Sequence, residues 1–583
     1  MNDTDASDIK AESDSVPEPV EKKGLKVLFL SSDTGGGHRA SAESLARQFQ
    51  LLYPGSTYDL LDVVEKDGVP PYNSLVGYYK HLSSHPAQWK LVYSVSNSRA
   101  FEMLADAHLK LMCERAVRRR IKGYDPDVVV SVHPLMCNVP VLSCKKISAE
   151  TGKNLPMFTV VTDLGSAHCL WFANGVEKMF VGSDQIQELA KNRGKVPEEK
   201  LVKIGLPIRH DFAEQSEKLG DRMSTEGKAY QRSIQKELEL PLTEGDFKTI
   251  LVMGGGEGVG SLANIVDALY CELVSQGIDS QVLVVCGRND KLKKSIDERN
   301  WNEVIASWVR AKDRKNKTPR FRIRDCVSAE NSSVSNVGCV DTSSYVGSSL
   351  RRILSSSSIG AAVSIPLPRS NSHEATSEEE EKKCDNAGNE AEGSSIEIDA
   401  NGQMLDAGLS GSGSGKSSPV AIPGQSSIDL SECNGNHFPG QVKVVGLGFV
   451  TKMAEYMVAA DVLVSKAGPG TIVEAAALSL PVMLTSYLPG QEEGNVDFVV
   501  DNEFGAFCSD RDPNGIAEEL CMWLLDDEKM ATLSKAAKKI GAPDAARDIA
   551  KEIGDRALKW REINEKNAVV VSEEDETADN DDQ

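Results

Sequence analysis

Runs of Val, Ile and Leu recur along the chain, and each is followed by turn residues and then by a helical pattern of apolar positions. They form an earlier set of three and a later set of five, at 26–33, 127–134, 157–164, 249–256, 281–288, 442–448, 461–468 and 481–487. Continuous apolar strands that alternate with helices are typical of parallel sheets covered on both faces. The pattern therefore predicts an α/β protein with two doubly wound parallel sheets, one for each set.

The length of 583 residues also indicates two large domains, since single cores stop growing at roughly 250–300 residues. We predict an N-terminal domain, a charged helical junction, a C-terminal domain in two pieces and a final helix, at 25–212, 213–247, 248–310 with 438–548, and 549–566. The pieces are separated by 311–437, which is rich in Ser, Gly, Asn and Glu and has too little apolar surface to offset the entropy of ordering. This segment is predicted to be a mostly disordered insertion, and the acidic tails 1–24 and 567–583 are predicted to be disordered as well.

Charge and cysteine content narrow the function classes. The net charge is −22, but the tails and the insertion hold most of it, so the remaining chain is only mildly acidic and lacks the basic stripe of a nucleic-acid-binding protein. The 12 cysteines are scattered without a CxxC pair, which favours buried free thiols. Apolar runs fall well short of the roughly 20 residues of a spanning helix, so any membrane contact is predicted to be peripheral.

The first of two glycine turns reads SSDTGGGHRASAE, 31–43, and is predicted to lead into a helix that opens at about Ser41. Gly36 and Gly37 allow a ligand to approach the backbone, and helix-terminal N–H groups favour negative charge. His38 lies at the tip of this turn, where a side chain of pKa about 6.5 can take a proton from a hydroxyl group near neutral pH. The alternative is a histidine that only caps the helix.

The second glycine turn reads LVMGGGEGVGS, 251–261, and again links a strand to a helix. Its glycines do not give a clean GxGxxG, and no acidic residue ends the next strand, which argues against a dinucleotide fingerprint. A loop that cradles phosphate and a turn that only packs both remain open.

The segment 465–497 carries the largest group of candidate ligand contacts. A strand end turns through Gly468 and Gly470, and a helix is predicted to start at Thr471, whose hydroxyl could cap it while free N–H groups face a diphosphate. Glu474, on the first turn of that helix, suits the paired hydroxyls of a ribose. The following PGQEEGN loop presents polar side chains at a strand's carboxyl end, where open parallel sheets bind ligands.

Taken together and in order, these motifs resemble the monogalactosyldiacylglycerol synthases, a MurG-like glycosyltransferase family (GT28). The stretches that carry the resemblance are KVLFLSSDTGGGHRASAE, VVSVHPLM, VVTDL, VKIGLPIR, LVMGGGEGVG, VCGRN, GFVTKMAEYM, SKAGPGTIVEA and PGQEEGNVDFVV. The family implies a GT-B fold, with two Rossmann-like domains facing each other across a cleft. It also implies inverting transfer of galactose from UDP-galactose, bound by the C-terminal domain, to diacylglycerol, bound by the N-terminal domain.

Carried over residue by residue, the resemblance makes His38 the catalytic base, with Asp163 as a second catalytic residue. The donor-binding residues it implies are Gly36, Gly37, Gly254, Gly255, Gly256, Glu257, Gly258, Arg288, Lys466, Gly468, Gly470, Thr471, Glu474, Gln491, Glu492 and Asn495. No cofactor is expected, because amide N–H groups and Lys466 would stabilise the leaving diphosphate. The Asp125-Pro-Asp127 sequence is interpreted as a turn rather than as a metal site.

Acceptor and membrane contacts are predicted in the N-terminal domain. The segment 65–93 has the length of a functional loop and mixes aromatic residues with lysines, as suits a bilayer headgroup region. The acceptor or membrane residues are Pro71, Tyr72, Trp89, His168 and Trp171, and an anionic-lipid contact is predicted at Arg115, Arg118, Arg119, Arg120 and Lys122. Internal packing of these aromatic residues is the alternative.

The predicted partners are a UDP-sugar, diacylglycerol and a membrane surface, without nucleic acid. The family implies a plastid envelope, but the first residues, MNDTDASDIKAESDS, do not have the pattern of a transit peptide, which leaves the cytosolic face of a membrane open. UDP-glucose and UDP-GlcNAc remain alternative donors. A nucleotide-dependent oxidoreductase and an inactive binding protein are the alternatives of other classes.

Overall fold

A computed structural model describes residues 24–32, 36–241, 247–254, 262–317 and 440–581. The predicted N-terminal tail up to 23, and the predicted insertion from 318 onward, lie outside the described residues. So does most of the second glycine turn, including Gly255, Gly256, Glu257 and Gly258.

The first sheet is built from short apolar strands in the N-terminal part of the chain. Its strands within the described ranges are β1 (Lys26–Leu30), β2 (Thr57–Leu61), β3 (Val128–Ser131), β4 (Met157–Val160), β5 (Met179–Val181) and β6 (Leu201–Lys203). All pair in parallel, in the order β2-β1-β3-β4-β5-β6. The order reverses between β1 and β3, so the crevice where such sheets bind ligands opens beyond the ends of these two strands.

The second sheet repeats this construction. Its described strands are β7 (Lys248–Met253), β8 (Ser280–Val285), β9 (Val442–Leu447), β10 (Val462–Lys466), β11 (Val482–Ser486) and β12 (Gly505–Phe507). They are parallel in the order β12-β11-β10-β7-β8-β9, which read from the other edge is the Rossmann order 3-2-1-4-5-6. The switch point lies between β7 and β10. On the chain, β7 is followed by the second glycine turn and β10 by the turn that contains Gly468 and Gly470.

Helices cover both faces of each sheet. Those that precede β7 are α1 (Gly36–Leu52), α2 (Val63–Asp67), α3 (Leu75–Ser83), α4 (Pro86–Ser96), α5 (Arg99–Met112), α6 (Glu114–Tyr124), α7 (Asn138–Thr151), α8 (Asp184–Asn192), α9 (His210–Leu219) and α10 (Thr225–Glu237). Those that follow it are α11 (Leu262–Gln276), α12 (Asp290–Asp297), α13 (Trp301–Lys317), α14 (Met453–Ala459), α15 (Pro469–Ala477), α16 (Glu493–Asp501), α17 (Pro513–Leu525), α18 (Asp527–Ile540) and α19 (Ala545–Asp581). The prediction of two doubly wound parallel sheets is confirmed.

The final helix, α19, returns from the second half to the first sheet. Ile549, Ala550, Ile553 and Ala557 are buried against the β1 face in one cluster with Leu45 of α1. The helix is longer than the predicted 549–566 and runs on to Asp581, into the tail that was expected to be disordered. No Gly or Pro follows Gly554 in this stretch, so nothing in the sequence stops the helix.

Several other boundaries also differ from the predictions. Helix α1 opens at Gly36 rather than at Ser41, and α13 continues to Lys317, past the predicted start of the insertion at 311. The segment 65–93 was expected to be a loop but is largely helical, since its apolar residues recur four apart and pack as helix faces. No helix in the described part of the chain is both long enough and apolar enough to cross a membrane.

Candidate functional site

His38 lies at the switch point of the first sheet, on the first turn of α1. Its Nδ1 is 2.7 Å from the Thr162 hydroxyl oxygen, just beyond β4. The His133 ring, just beyond β3, meets the His38 ring edge to face with centroids 4.8 Å apart, and the Trp171 ring is 6.0 Å away. Two side chains that follow strands, and Trp171 from a short 3-10 helix, therefore lie around the ring.

Burial lowers the pKa of His38 to about 4. The folded protein thus moves the pKa of this side chain below its unperturbed value of about 6.5, because the neighbouring rings remove part of the water that would solvate a charged imidazole. His133 is buried too, and its pKa is also lowered, first by burial and then by the neighbouring histidines. At neutral pH His38 is uncharged, which is the form that can accept a proton.

Asp163 does not touch His38 directly in the described contacts but holds Trp171. Its Oδ2 accepts a hydrogen bond of 2.6 Å from the Trp171 indole N–H. Burial, with a smaller contribution from the charge of Glu492, raises the pKa of Asp163 to about 7, although the bond from Trp171 opposes that rise. The Asp163 carboxyl thus lies near both Trp171, a neighbour of His38, and Glu492 of the second domain.

On the donor side, α15 begins earlier than predicted. Its first residue is Pro469, and Gly468 is the N-cap and has no side chain to cap the helix. Thr471 is therefore inside the first turn rather than at the cap. A Cβ added to Gly470 would meet nothing within 4 Å, so the turn faces open space. The unbonded N–H groups of a first turn are suited to a phosphate.

Two carboxylates near this turn already have cationic partners. Glu474 accepts two hydrogen bonds from the Arg209 guanidinium, at 2.8 and 2.9 Å, across the two parts of the chain. Glu492 is buried and accepts from Lys466 Nζ at 2.5 Å and from the Leu488 N–H at 2.9 Å. Such charge-assisted bonds fix both side chains in position, which prepares them for a ligand with little reorganisation.

The PGQEEGN loop joins the two sheets across the cleft. Asn495 Oδ1 accepts from the Gly165 N–H at 2.8 Å, and the Ser166 hydroxyl donates to the Gln491 carbonyl at 2.6 Å. A Cβ on Gly165 would lie 1.9 Å from the Gly494 carbonyl oxygen, so the two backbones touch. The residues predicted to recognise the sugar are therefore held directly against the loop that carries Asp163.

Aromatic residues of α3 and α4 cover this junction. The rings of Tyr79, Trp89 and Tyr93 pack in series with centroids 5.2 and 5.9 Å apart, and Tyr93 lies 5.5 Å from His168. A Cβ on Gly490 would be 2.8 Å from the Tyr93 ring, which adds to the demand for glycine at its φ of +81°. Burial, followed by the charges of Glu492 and Asp163, raises the pKa of the Tyr79 hydroxyl to about 12.

Three other predicted site residues have described partners outside the groups above, or are exposed. Tyr72 pairs with His108 at 3.3 Å between its hydroxyl and Nδ1, Pro71 is exposed beside it, and Arg288 lies over the Phe449 ring at 5.8 Å. Gly254, the last described residue of the second glycine turn, follows the end of β7.

Sequence reasoning gave no individual role to Thr162, His133, Arg209 and Tyr93, and it placed Tyr79 only among the aromatic residues of 65–93. The available signal was position, because Thr162 and His133 directly follow strands and the carboxyl ends of parallel strands share one edge of a sheet.

The basic cluster of α6 is mostly paired. Arg118 and Lys122 bind Glu150, and Arg120 binds Asp67, whereas Arg115 and Arg119 are exposed. Asp127 Oδ2 accepts from the Lys26 N–H at 2.8 Å, so this carboxylate is bonded to the start of β1. Within the described ranges, no group of three or more His, Cys, Asp or Glu side chains is placed to hold a metal ion.

Comparison with known proteins identifies both halves. Residues 38–208 match the family model for monogalactosyldiacylglycerol (MGDG) synthase, and 421–552 match the C-terminal domain of glycosyltransferase family 28. A probable chloroplastic monogalactosyldiacylglycerol synthase 2 of Oryza sativa subsp. indica is 26% identical over 547 residues, which cover 92% of this chain and 82% of the relative.

Monogalactosyldiacylglycerol synthase 1 of Arabidopsis thaliana, also chloroplastic, is 25% identical over 527 residues, which cover 89% of this chain and 69% of the relative. Among solved structures, Acinetobacter baumannii MurG is similar with a TM-score of 0.44 and 11% identity, covering 91% of this chain and 99% of that one. The sequence matches extend across both sheets and the residues at their switch points, so the chain is similar to the monogalactosyldiacylglycerol synthases along most of its length.

Proposed function

We propose that the protein transfers galactose from UDP-galactose to the free hydroxyl of 1,2-diacylglycerol, with inversion at the anomeric carbon. One observation carries the proposal: an uncharged, half-buried His38 at one switch point is linked through Trp171 and Asp163 to the Lys466–Asn495 region at the other. The names of the curated relatives support galactose and diacylglycerol as the substrates.

In the proposed reaction, His38 takes the proton of the acceptor hydroxyl as its oxygen attacks the anomeric carbon. The new carbon–oxygen bond forms on the face opposite UDP, the bond to the diphosphate breaks, and UDP leaves with the bonding electron pair. The first-turn N–H groups of α15 and the Lys466 ammonium stabilise that negative charge. Glu474 would bind the ribose hydroxyls, with Arg209 holding it in place.

The test is a transfer assay in vesicles that contain dioleoylglycerol, with radiolabelled UDP-galactose, UDP-glucose and UDP-GlcNAc in parallel. We expect labelled lipid with UDP-galactose and, by NMR of the product, a β-linked sugar from the α-linked donor. Transfer only from another UDP-sugar would correct the donor, and an α-linked product would contradict inversion. Absence of labelled lipid with all three donors would overturn the proposal.

We also propose that the acceptor is taken from a membrane surface by α3, α4 and α5. In the described part of the chain, nine of seventeen exposed large apolar side chains fall between 78 and 112, at Tyr78, Leu91, Val92, Val95, Phe101, Met103, Leu104, Leu111 and Met112. We call these nine residues the apolar face. Exposed cations, Lys90, Arg99, Arg115 and Arg119, lie on the same helices or on the adjoining α6. An apolar face beside cations suits peripheral binding to anionic lipids.

Replacing Leu104 and Leu111 together by Asp is expected to weaken binding to vesicles at least tenfold. These side chains are 69% and 82% exposed, and burying a leucine contributes about 1.5–3 kcal/mol, where 1.4 kcal/mol is a factor of ten. Co-sedimentation with vesicles that contain phosphatidylglycerol measures the loss. The matched control is the double change Met522→Asp and Leu525→Asp on α17, at side chains 58% and 62% exposed in the other domain. Equal loss in both double variants would contradict the assignment of the apolar face.

A further inference from the structure

A buried hydroxyl group, that of Thr162, lies next to His38. Thr162 is 4% exposed, and its Oγ1 is 2.7 Å from Nδ1 of His38. At this distance the two atoms share one hydrogen, which sits either on the ring nitrogen or on the hydroxyl. The choice decides which nitrogen of the neutral ring has a free lone pair.

Only one of the two arrangements leaves His38 with a ring nitrogen that can act as a base. If the Thr162 hydroxyl donates to Nδ1, the ring carries its hydrogen on Nε2, and its single lone pair is already occupied. If Nδ1–H donates to Thr162, the lone pair of Nε2 is free to accept a proton. A general base must have that lone pair within reach of the substrate hydroxyl.

We propose that Thr162 is a positioning residue that fixes His38 in the Nδ1–H tautomer and so makes Nε2 the catalytic base. The inference rests on the proposed function only for its kinetic consequence. His133 and Trp171 restrict the ring from two further directions, at 4.8 and 6.0 Å between centroids, so loss of the Thr162 bond leaves the ring in place while freeing its tautomer.

The decisive variants are Thr162→Val and Thr162→Ser. Valine has nearly the same shape but no hydroxyl, and serine retains the hydroxyl. We expect Thr162→Val to lower kcat by about 10²-fold, at the lower end of the range for loss of a general base, with the KM for UDP-galactose unchanged. Thr162→Ser should recover most of the rate. A fall in kcat that serine does not restore, or one accompanied by a matching rise in KM, would contradict a positioning role.

A spectroscopic measurement tests the tautomer without requiring turnover. In protein labelled with ¹⁵N-histidine, long-range ¹H–¹⁵N correlation distinguishes Nδ1–H from Nε2–H, and His38→Ala identifies the His38 signal by its loss. We expect Nδ1–H in the wild type and a shift toward Nε2–H in Thr162→Val. The Val132 carbonyl also accepts a hydrogen bond from the ring. If the tautomer of His38 is unchanged in Thr162→Val, then Val132 and not Thr162 determines it, and the proposal is overturned.

These two measurements separate the inference from the proposed function. If the wild type makes no glycolipid but the tautomer shifts in Thr162→Val, the proposed function fails and the role of Thr162 stands. If the wild type makes galactolipid and carries Nε2–H on His38, the role of Thr162 fails and the proposed function stands. Thermal unfolding and UDP affinity are measured for each variant as controls. Values close to those of the wild type show that the variant is folded.

Discussion

Replacing His38 by alanine is expected to reduce turnover by about 10²–10⁴-fold, the range for loss of a general base, while UDP affinity stays within a few-fold of the wild type. The ring sits at the switch point of the first sheet, whereas the α15 turn that would bind the diphosphate belongs to the second. The two effects should therefore separate. Steady-state transfer rates and calorimetric UDP titration measure them.

The control for this change is His85→Ala, because the His85 side chain is exposed and its described bonds are to its neighbours Ser84 and His81. It should transfer sugar at close to the wild-type rate. Turnover of His38→Ala equal to that of His85→Ala would remove His38 from the chemistry. Loss of UDP binding in His38→Ala would instead indicate that the ring supports the fold of the cleft.

A second large effect is expected from Gly165→Ala. The added Cβ would lie 1.9 Å from the Gly494 carbonyl oxygen and 2.6 Å from the Asn495 N–H nitrogen, and neither backbone atom can move alone. The PGQEEGN loop must move by about 1 Å, which breaks the bond between Gly165 and Asn495 and draws the loop, which we propose binds the sugar, away from the segment that carries Asp163. A displacement of this size can cost about 10²-fold in rate.

The comparison for Gly165→Ala is Gly123→Ala in α6, where an added Cβ meets nothing within 4 Å. That change should leave kcat/KM unaltered and, inside a helix, raise stability slightly. Gly494→Ala, whose Cβ would be 2.4 Å from the Gly165 carbonyl oxygen, should repeat the loss from the opposite side of the cleft. Full activity of both cleft variants would show that the contact between these two glycines is not part of the active arrangement.

Most of the strands that the sequence predicted are largely buried, and β9, which is half-buried at every position, is the exception. β1, β3, β4 and β7 are continuous apolar runs because both of their faces are covered, and such runs are visible without any tertiary information. Of the strands that it missed, β5, β6 and β12 have only three residues each, and β2 is exposed at its first three positions, which breaks the apolar pattern. The helices of 65–93 were missed for a related reason, since Pro70, Pro71 and Pro86 suggest a loop although Pro86 starts a helix.

The candidate site divides in the same way. The glycine turns, with His38 and the 465–497 segment, could be found from the sequence, because an apolar strand followed by glycines and then a helix is a local pattern. The pairing of Glu474 with Arg209 joins positions 265 residues apart, and that of Gly165 with Asn495 joins positions 330 apart. Nothing local specifies such pairs, and they form only when the two sheets meet.

By itself, the sequence determined the two parallel sheets, the positions of the glycine turns and the residue types available for base, phosphate and sugar contacts, because strand burial and turn chemistry are properties of neighbouring residues. Only the tertiary structure decided how those groups act. It lowered the pKa of His38 by packing other side chains around the ring, directed Asp163 to Trp171, and set the PGQEEGN loop against Gly165 and Ser166. Each of these outcomes depends on the exclusion of water and on contacts between distant segments, which exist only once the chain has folded.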